Sequence, residues 1–175
     1  MDLRLKYARV ERERRFLVKQ FPPKAEVVRS RHLADRYVDG TTLRLREQRD
    51  EDGIIAYKLT QKLPAPDGGA QQGFITTMYI TKEEFCVLAQ LPARLLNKTR
   101  YSVPPFGIDV FEGELKGLIL AEAEFDSASD ADGLIIPCFI SREVSSDDRF
   151  TGGQLARATI QDVKRWLLDY RINDW

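Results

Sequence analysis

Glu11-Arg12-Glu13-Arg14-Arg15-Phe16-Leu17-Val18 opens the patterned part of a 175-residue chain. In an extended strand successive side chains point to opposite faces, so Glu11, Glu13 and Arg15 share one of them. Two carboxylates then stand a pleat repeat apart, roughly 7 Å, close enough to hold a divalent cation between them or to be bridged by one. Read alone, the segment is equally an edge strand whose charges only keep it soluble. The rest of the chain has to decide between the two.

The same device recurs downstream. Thr42-Leu-Arg-Leu-Arg-Glu47 puts Arg44 and Arg46 on one face and Leu43 and Leu45 on the other. Ala56-Tyr-Lys-Leu-Thr-Gln-Lys62 does so with Lys58, Thr60 and Lys62, and Lys98-Thr-Arg100 with its two cations. Ala121-Glu-Ala-Glu-Phe125 sets Glu122 and Glu124 against Ala121, Ala123 and Phe125, and Asp109 stands singly between Ile108 and Val110. Each polar face could be the wet side of an antiparallel sheet. A merely solvated face, however, mixes signs to gain cross-strand pairs, whereas each of these segments keeps its acids or its bases together. If the strands close into a barrel with these faces inward, the lumen is crowded with like charges that repel in a low dielectric unless a polyanion and metal ions enter. The implied guest is a phosphate chain with a divalent metal: Arg and Lys grip phosphates, and clustered carboxylates hold hard, oxygen-loving ions.

Composition sets outer bounds. At 43% hydrophobic and 31% charged, the chain suits one globular domain spanning 1–175. Its 27 basic and 27 acidic residues cancel, which leaves no long-range field to draw it to nucleic acid or an anionic membrane. Cys86, Cys138 and the lone His32 are too few for a zinc site or disulfide framework, and both cysteines are expected as reduced core thiols. No apolar run approaches the ~18 residues of a membrane span and no signal-type stretch follows Met1, so the expected compartment is the cytoplasm.

Strand patterning covers 9–19, 27–38, 42–48, 54–62, 73–80, 98–103, 106–111, 118–125 and 139–144. Asp39-Gly40 and Asp52-Gly53 are expected hairpin turns, and Leu63 to Gln72 a loop. Thr81 to Glu84 reads as a capping box opening a helix, Ser127 to Asp132 as a short second helix, and Gln154 to Tyr170 as a third whose apolar stripe should lie on the sheet. Gly152-Gly153 lacks the Lys-Ser/Thr of a phosphate loop and is expected as a hinge or cap. His32 is expected at the surface, and Trp166 and Trp175 as packing or terminal residues.

In order along the chain, Glu11-Arg-Glu13-Arg-Arg15, Asp35-Arg-Tyr37, Leu43-Arg-Leu-Arg46, Tyr57-Lys-Leu-Thr-Gln-Lys62, Lys98-Thr-Arg-Tyr101, Ile108-Asp-Val-Phe111, Leu120-Ala-Glu-Ala-Glu-Phe125, Glu143-Val144 and Asp148-Arg-Phe150 resemble the CYTH superfamily, the triphosphate tunnel metalloenzymes. The resemblance implies an all-β-dominated fold: an eight-stranded, closed antiparallel barrel forming a tunnel, core about 9–156, with a few covering helices including a C-terminal one at about 154–172. It implies metal-dependent hydrolysis of a phosphoanhydride bond in tripolyphosphate or a nucleoside or organic triphosphate such as ATP, with Mg²⁺ or Mn²⁺. Glu11, Glu13, Glu122 and Glu124 match the metal-binding, catalytic acids. Arg15, Arg44, Arg46, Lys58, Lys62, Lys98 and Arg100 match the cations that bind substrate phosphates, and Asp109 and Glu143 match further acidic positions. The expected partner is a small triphosphate or polyphosphate, not nucleic acid or membrane. The same tunnel also serves class IV adenylyl cyclases and non-catalytic polyphosphate or nucleotide binders. Two departures stand out: Arg15 replaces the family's lysine, and the strand Gly73 to Ile80 presents an uncharged face of Gly73, Ile75 and Thr77.

Overall fold

A computed structural model describes residues 3–65 and 72–172. Alternation and turn chemistry produce nine antiparallel strands: β1 (Arg9–Val18), β2 (Arg29–Val38), β3 (Leu43–Asp50), β4 (Ile55–Pro64), β5 (Gln72–Ile80), β6 (Ala93–Val103), β7 (Phe106–Phe111), β8 (Ile119–Phe125) and β9 (Ile140–Glu143). They run β5-β4-β3-β2-β6-β7-β8-β1-β9, and β5 also pairs with β1, so β1 to β8 close into a barrel and β9 lies outside the ring. Gly40 at φ 69° and Gly53 at φ 79° sit in the hairpin turns expected of them, in a backbone region that side chains with a Cβ avoid. Most of the loop expected between Leu63 and Gln72 falls outside the described residues, as does Trp175.

β1 explains why a ninth strand exists. One of its edges pairs with β8 from Arg12 opposite Phe125 to Leu17 opposite Leu120. The other edge pairs with β5 only from Arg9 to Arg12, and with β9 only from Phe16 to Val18. β9 thus covers the edge that β5 leaves behind, and an unpaired edge would otherwise invite foreign strands. Arg15 lies between the two partners. Its backbone N–H donates to the buried Ser145 hydroxyl at 2.9 Å, and its carbonyl accepts from the Val144 N–H at 2.8 Å.

Two apolar cores result. Phe16, Val103, Phe106, Ile108, Ala121, Ala123, Phe139 and Ile140 pack on the outside of the barrel, with β9 and the segment leading to it as their cover. Leu17, Leu96, Phe111 and Leu120 lie on the same strand faces as Glu13, Lys98, Asp109 and Glu122 and therefore point inward. They join Phe150, Leu155, Val163 and Leu167 in the second core, which fills one end of the barrel wall.

The helices sit largely where the sequence places them. α1 (Lys82–Leu88) has the complete capping box, with Thr81 accepting from the Glu84 N–H and Glu84 accepting from the Thr81 N–H, and α2 (Ala128–Asp132) is capped by Ser127. The third helix is a correction. It is two helices, α3 (Gly152–Leu155) and α4 (Ile160–Leu168), because Thr159 is extended and starts a new capping box with Asp162. The apolar stripe of α4 does pack on strand residues as expected: Val163 and Leu167 join Leu17, Leu96, Phe111 and Leu120 in the core at the barrel end. The cysteines are a second correction, since Cys86 and Cys138 are both exposed. His32 is exposed as expected, 3.3 Å from Glu112, and Trp166 packs on Phe150. Among the described residues no helix is long and apolar enough to cross a membrane.

Gly152 and Gly153 do open a helix, and the first is held there by contact. A Cβ on Gly152 would stand 2.0 Å from the Tyr37 hydroxyl oxygen, whereas one on Gly153 would meet the ring at an ordinary 3.8 Å. Gly152→Ala must move Tyr37 or α3 and is expected to cost about 1–3 kcal/mol, read as a drop in thermal midpoint of about 3–10 °C. Gly153→Ala should melt within a degree or two of the parent.

Candidate active site

The barrel encloses a cavity of about 1040 Å³ lined by all of Glu11, Glu13, Arg15, Arg44, Arg46, Lys58, Lys62, Lys98, Arg100, Glu122 and Glu124. Alternation on five strands, β1, β3, β4, β6 and β8, brings them together, and Tyr37 on β2 joins them. The fully buried Asp109 on β7 and Asp35 on β2 lie behind them, bonded to Arg100 and Arg46. Gly73, Ile75 and Thr77 line the β5 side, so that wall is uncharged as the sequence indicates. Glu143 is different. It stands outside the barrel, clamped by Arg14 in two bonds of 2.9 and 2.6 Å and accepting from Ser145 at 2.6 Å.

Like charges sorted along each strand meet opposite charges across three of the strand pairs. Arg15 faces Glu122 across the β1–β8 pair, Arg100 faces Asp109 across β6–β7, and Arg46 faces Asp35 across β2–β3. The severe self-repulsion anticipated from sequence is therefore relieved internally. Arg46 holds the fully buried Asp35 with two bonds of 2.6 and 2.7 Å. Burial alone would raise the Asp35 pKa, but Arg46, Arg44 and Lys98 bring it down to about 2. Asp109, also fully buried, accepts two bonds of 2.6 Å from Arg100 and a further one from Lys98. Burial outweighs that carboxylate at Lys98, whose ammonium pKa is lowered. Nothing in local spacing distinguishes Asp35 as the anchor of Arg46; its place in the Asp35-Arg-Tyr37 motif was the only signal.

The balance is uneven around the lumen. On the β1–β8 side Glu13 lies directly opposite Glu124, a like-charge pair that is unfavourable without a cation between. The Glu13 pKa is raised, first by burial and next by the Glu122 carboxylate, despite the pull of Lys62 and Arg15. Glu122 is held well below the usual carboxylate range: burial opposes this, but Arg100, Lys98 and Arg15 outweigh it. Arg15 spans the two acids, bonded to Glu13 and with its Nε 3.6 Å from Glu122. Glu11 accepts from Lys62 at 2.7 Å, and Glu124 is exposed toward the mouth.

The β3–β4 side carries the opposite surplus. Among the described residues Lys58 bonds only the Gln48 amide, at 3.1 Å, and lies over the Tyr79 ring. Arg44 donates to the Thr60 hydroxyl at 3.3 Å, stands 3.9 Å from Asp35, and its buried Nε has no hydrogen-bond acceptor. The cavity is thus polarised, with crowded carboxylates on one wall and under-used cations on another.

Among the described residues no three acids converge tightly enough to form a ready-made metal cage. The donor set is nonetheless entirely carboxylate oxygen, the chemistry that hard divalent cations take. Glu13 already holds its charge at a disadvantage, and a cation would remove it. The donors suit such an ion in kind; in this structure Glu11 and Glu13 are bonded to Lys62 and Arg15.

Fold and site define a class: a closed β-barrel whose charged lumen is built to take a polyanion. The chain belongs to the family of the inorganic triphosphatase of Nitrosomonas europaea, to which it is 35% identical over 154 residues, covering 83% of this chain and 96% of that protein. A solved structure of an inorganic triphosphatase superposes with a TM-score of 0.56 at 28% identity, covering 85% of this chain and 95% of that one. Another, described as a hypothetical protein, gives a TM-score of 0.56 at 31% identity over 85% and 99% of the two chains. No protein-family model matches the sequence.

Proposed function

We propose that this chain is a triphosphate hydrolase that cleaves a phosphoanhydride bond of tripolyphosphate, or of a nucleoside or organic triphosphate, inside the tunnel. The polarised cavity carries the reading: a phosphate chain supplies Arg44 and Lys58 on one wall with the acceptors they lack. Kinship with the inorganic triphosphatase favours hydrolysis, and the motif order fits the triphosphate tunnel metalloenzymes.

Arg44, Arg46 and Lys58 bind phosphate oxygens on the β3–β4 side, and Lys98 and Arg100 do so from β6. Asp35 and Asp109 keep three of these five cations aimed inward, so little rotamer freedom is lost on binding. Glu11, Glu13, Glu122 and Glu124 are the residues that would hold Mg²⁺ or Mn²⁺. Such an ion, when bound, neutralises phosphate charge and lowers the pKa of a water ligand. Arg15 lies within the carboxylate wall, spanning Glu13 and Glu122, where its planar cation stabilises charge spreading over the transferred phosphoryl group.

The test is release of orthophosphate from tripolyphosphate, ATP and thiamine triphosphate with Mg²⁺ or Mn²⁺, against a chelator control. Metal-dependent release is expected; tight binding without release leaves a non-catalytic binder, and cyclic nucleotide with pyrophosphate marks a cyclase.

Arg15 gives a sharper test. A lysine keeps the charge but is a point donor that cannot span Glu13 and Glu122 together. Arg15→Lys is expected to lower kcat about tenfold, or about 1.4 kcal/mol, with tripolyphosphate KM changed less than threefold. A gain in activity would mean that the arginine suppresses turnover and that the natural chain acts as a binder.

A further inference from the structure

A second cavity, of about 320 Å³, opens under the Pro104-Pro105 turn between β6 and β7 and shares Arg31, Arg100, Glu122 and Glu124 with the main one. Arg31 on β2 pairs directly with Arg100 on β6, and both face the lumen. Two like charges directly opposite each other are unfavourable unless each is compensated. Arg100 is, by two bonds to Asp109 and one to Glu122. Arg31 lies directly opposite Asp50 on β3 but is matched less fully. Its buried Nε has no hydrogen-bond acceptor, and the Asp50 carboxylate 3.5 Å away is already bound by Arg29 and, at 3.2 Å, by Gln48.

Ser102 lines the same cavity, offering a hydroxyl beside the arginines. Gly107 keeps the place open: a Cβ there would stand 3.2 Å from the Arg100 side chain. At about 30 Å³ per water, the cavity of about 320 Å³ has room for one phosphate and its hydration. The under-matched cations Arg44 and Lys58 lie on other strands, β3 and β4, so this opening is distinct from that wall, while Arg31, Arg100, Glu122 and Glu124 border both cavities.

We propose that the β6–β7 opening carries its own phosphoryl subsite, formed by Arg31 and Ser102, which receives the orthophosphate released by hydrolysis. The assignment to product rests on the hydrolase reading; the subsite itself does not. The ligand is a single phosphoryl group, and its two possible sources are free orthophosphate and the fourth phosphoryl of a longer chain.

Titration calorimetry with orthophosphate, tripolyphosphate and tetrapolyphosphate on the parent protein, Arg31→Gln and Ser102→Ala tests this, and it reads binding whether or not the chain turns over. The expected result is a rise of at least tenfold in the orthophosphate Kd for Arg31→Gln and about threefold for Ser102→Ala. The ratio of orthophosphate Kd to tripolyphosphate Kd should rise by at least fivefold in Arg31→Gln, and orthophosphate inhibition of turnover should weaken in parallel. Tetrapolyphosphate affinity falling while orthophosphate affinity holds would overturn the product assignment in favour of a chain phosphoryl. Orthophosphate and tripolyphosphate affinities falling together, or neither changing in both folded variants, would overturn the subsite.

Discussion

Glu122→Gln is expected to lower kcat/KM for triphosphate hydrolysis about a thousandfold, close to 4 kcal/mol of transition-state stabilisation. Glu122 is the acid on which the ring converges, bonded to Arg100, 3.6 Å from Arg15 and under the field of Lys98. Its carboxylate is ionised throughout the neutral range, so the amide removes a full charge from the proposed metal wall while keeping shape. The loss should fall mainly on kcat, because the phosphate grip on β3 and β4 is untouched. Glu124→Gln is the graded comparison. It lies on the same face but is exposed, where water can replace part of its role, and a fall of about tenfold to a hundredfold is expected. Phosphate release under saturating and sub-saturating tripolyphosphate separates the two parameters. Equal, small losses in both variants would remove β8 from the chemistry.

Asp35→Asn is expected to cost more stability than any surface change. Asp35 is the bidentate partner of Arg46, itself nearly buried, and its removal leaves a guanidinium without its carboxylate inside the barrel. Breaking such a pair costs about 3–5 kcal/mol, or roughly 6–20 °C of thermal midpoint for a chain of this size. The pH dependence follows with a definite sign. The folded-state pKa is lowered from 3.8 to about 2, so the stability it contributes is fully present above pH 4 and is lost as pH falls toward 2. The shift corresponds to about 2 kcal/mol. Denaturant unfolding between pH 5 and pH 2 should show that slope in the parent and a flatter one in Asp35→Asn. An unchanged slope would mean that other acids govern acid unfolding.

Most of the barrel was legible because it is written in a period of two. Thr42 to Glu47, Ala56 to Lys62 and Ala121 to Phe125 each alternate strictly, and each became a wall of the lumen with the expected face inward. What periodicity could not show was how signs meet across strands. Sorting along β3, β6 and β8 suggested an unrelieved field, yet register places Arg46 against Asp35 and Arg100 against Asp109. Pairing register depends on which strands become neighbours, a property of closure rather than of any one segment. The region 154–170 failed for a related reason. Its apolar spacing is helical across Thr159, but Thr159 caps α4 instead of continuing α3, and the cap bonds to Asp162 offset the break.

By itself the sequence determined the strand faces, the hairpin turns, the capping box of α1 and most of the lumen's charged residues, because each follows from local spacing and side-chain chemistry. Only the tertiary structure decided that the acids and bases neutralise one another around the ring. It also decided that the surplus cations sit on β3 and β4, that α4 fills an end of the barrel, and that Glu143 stands outside while Asp35 holds Arg46 within. These depend on distances between residues far apart in the chain, and Coulomb and packing energies are set by those distances.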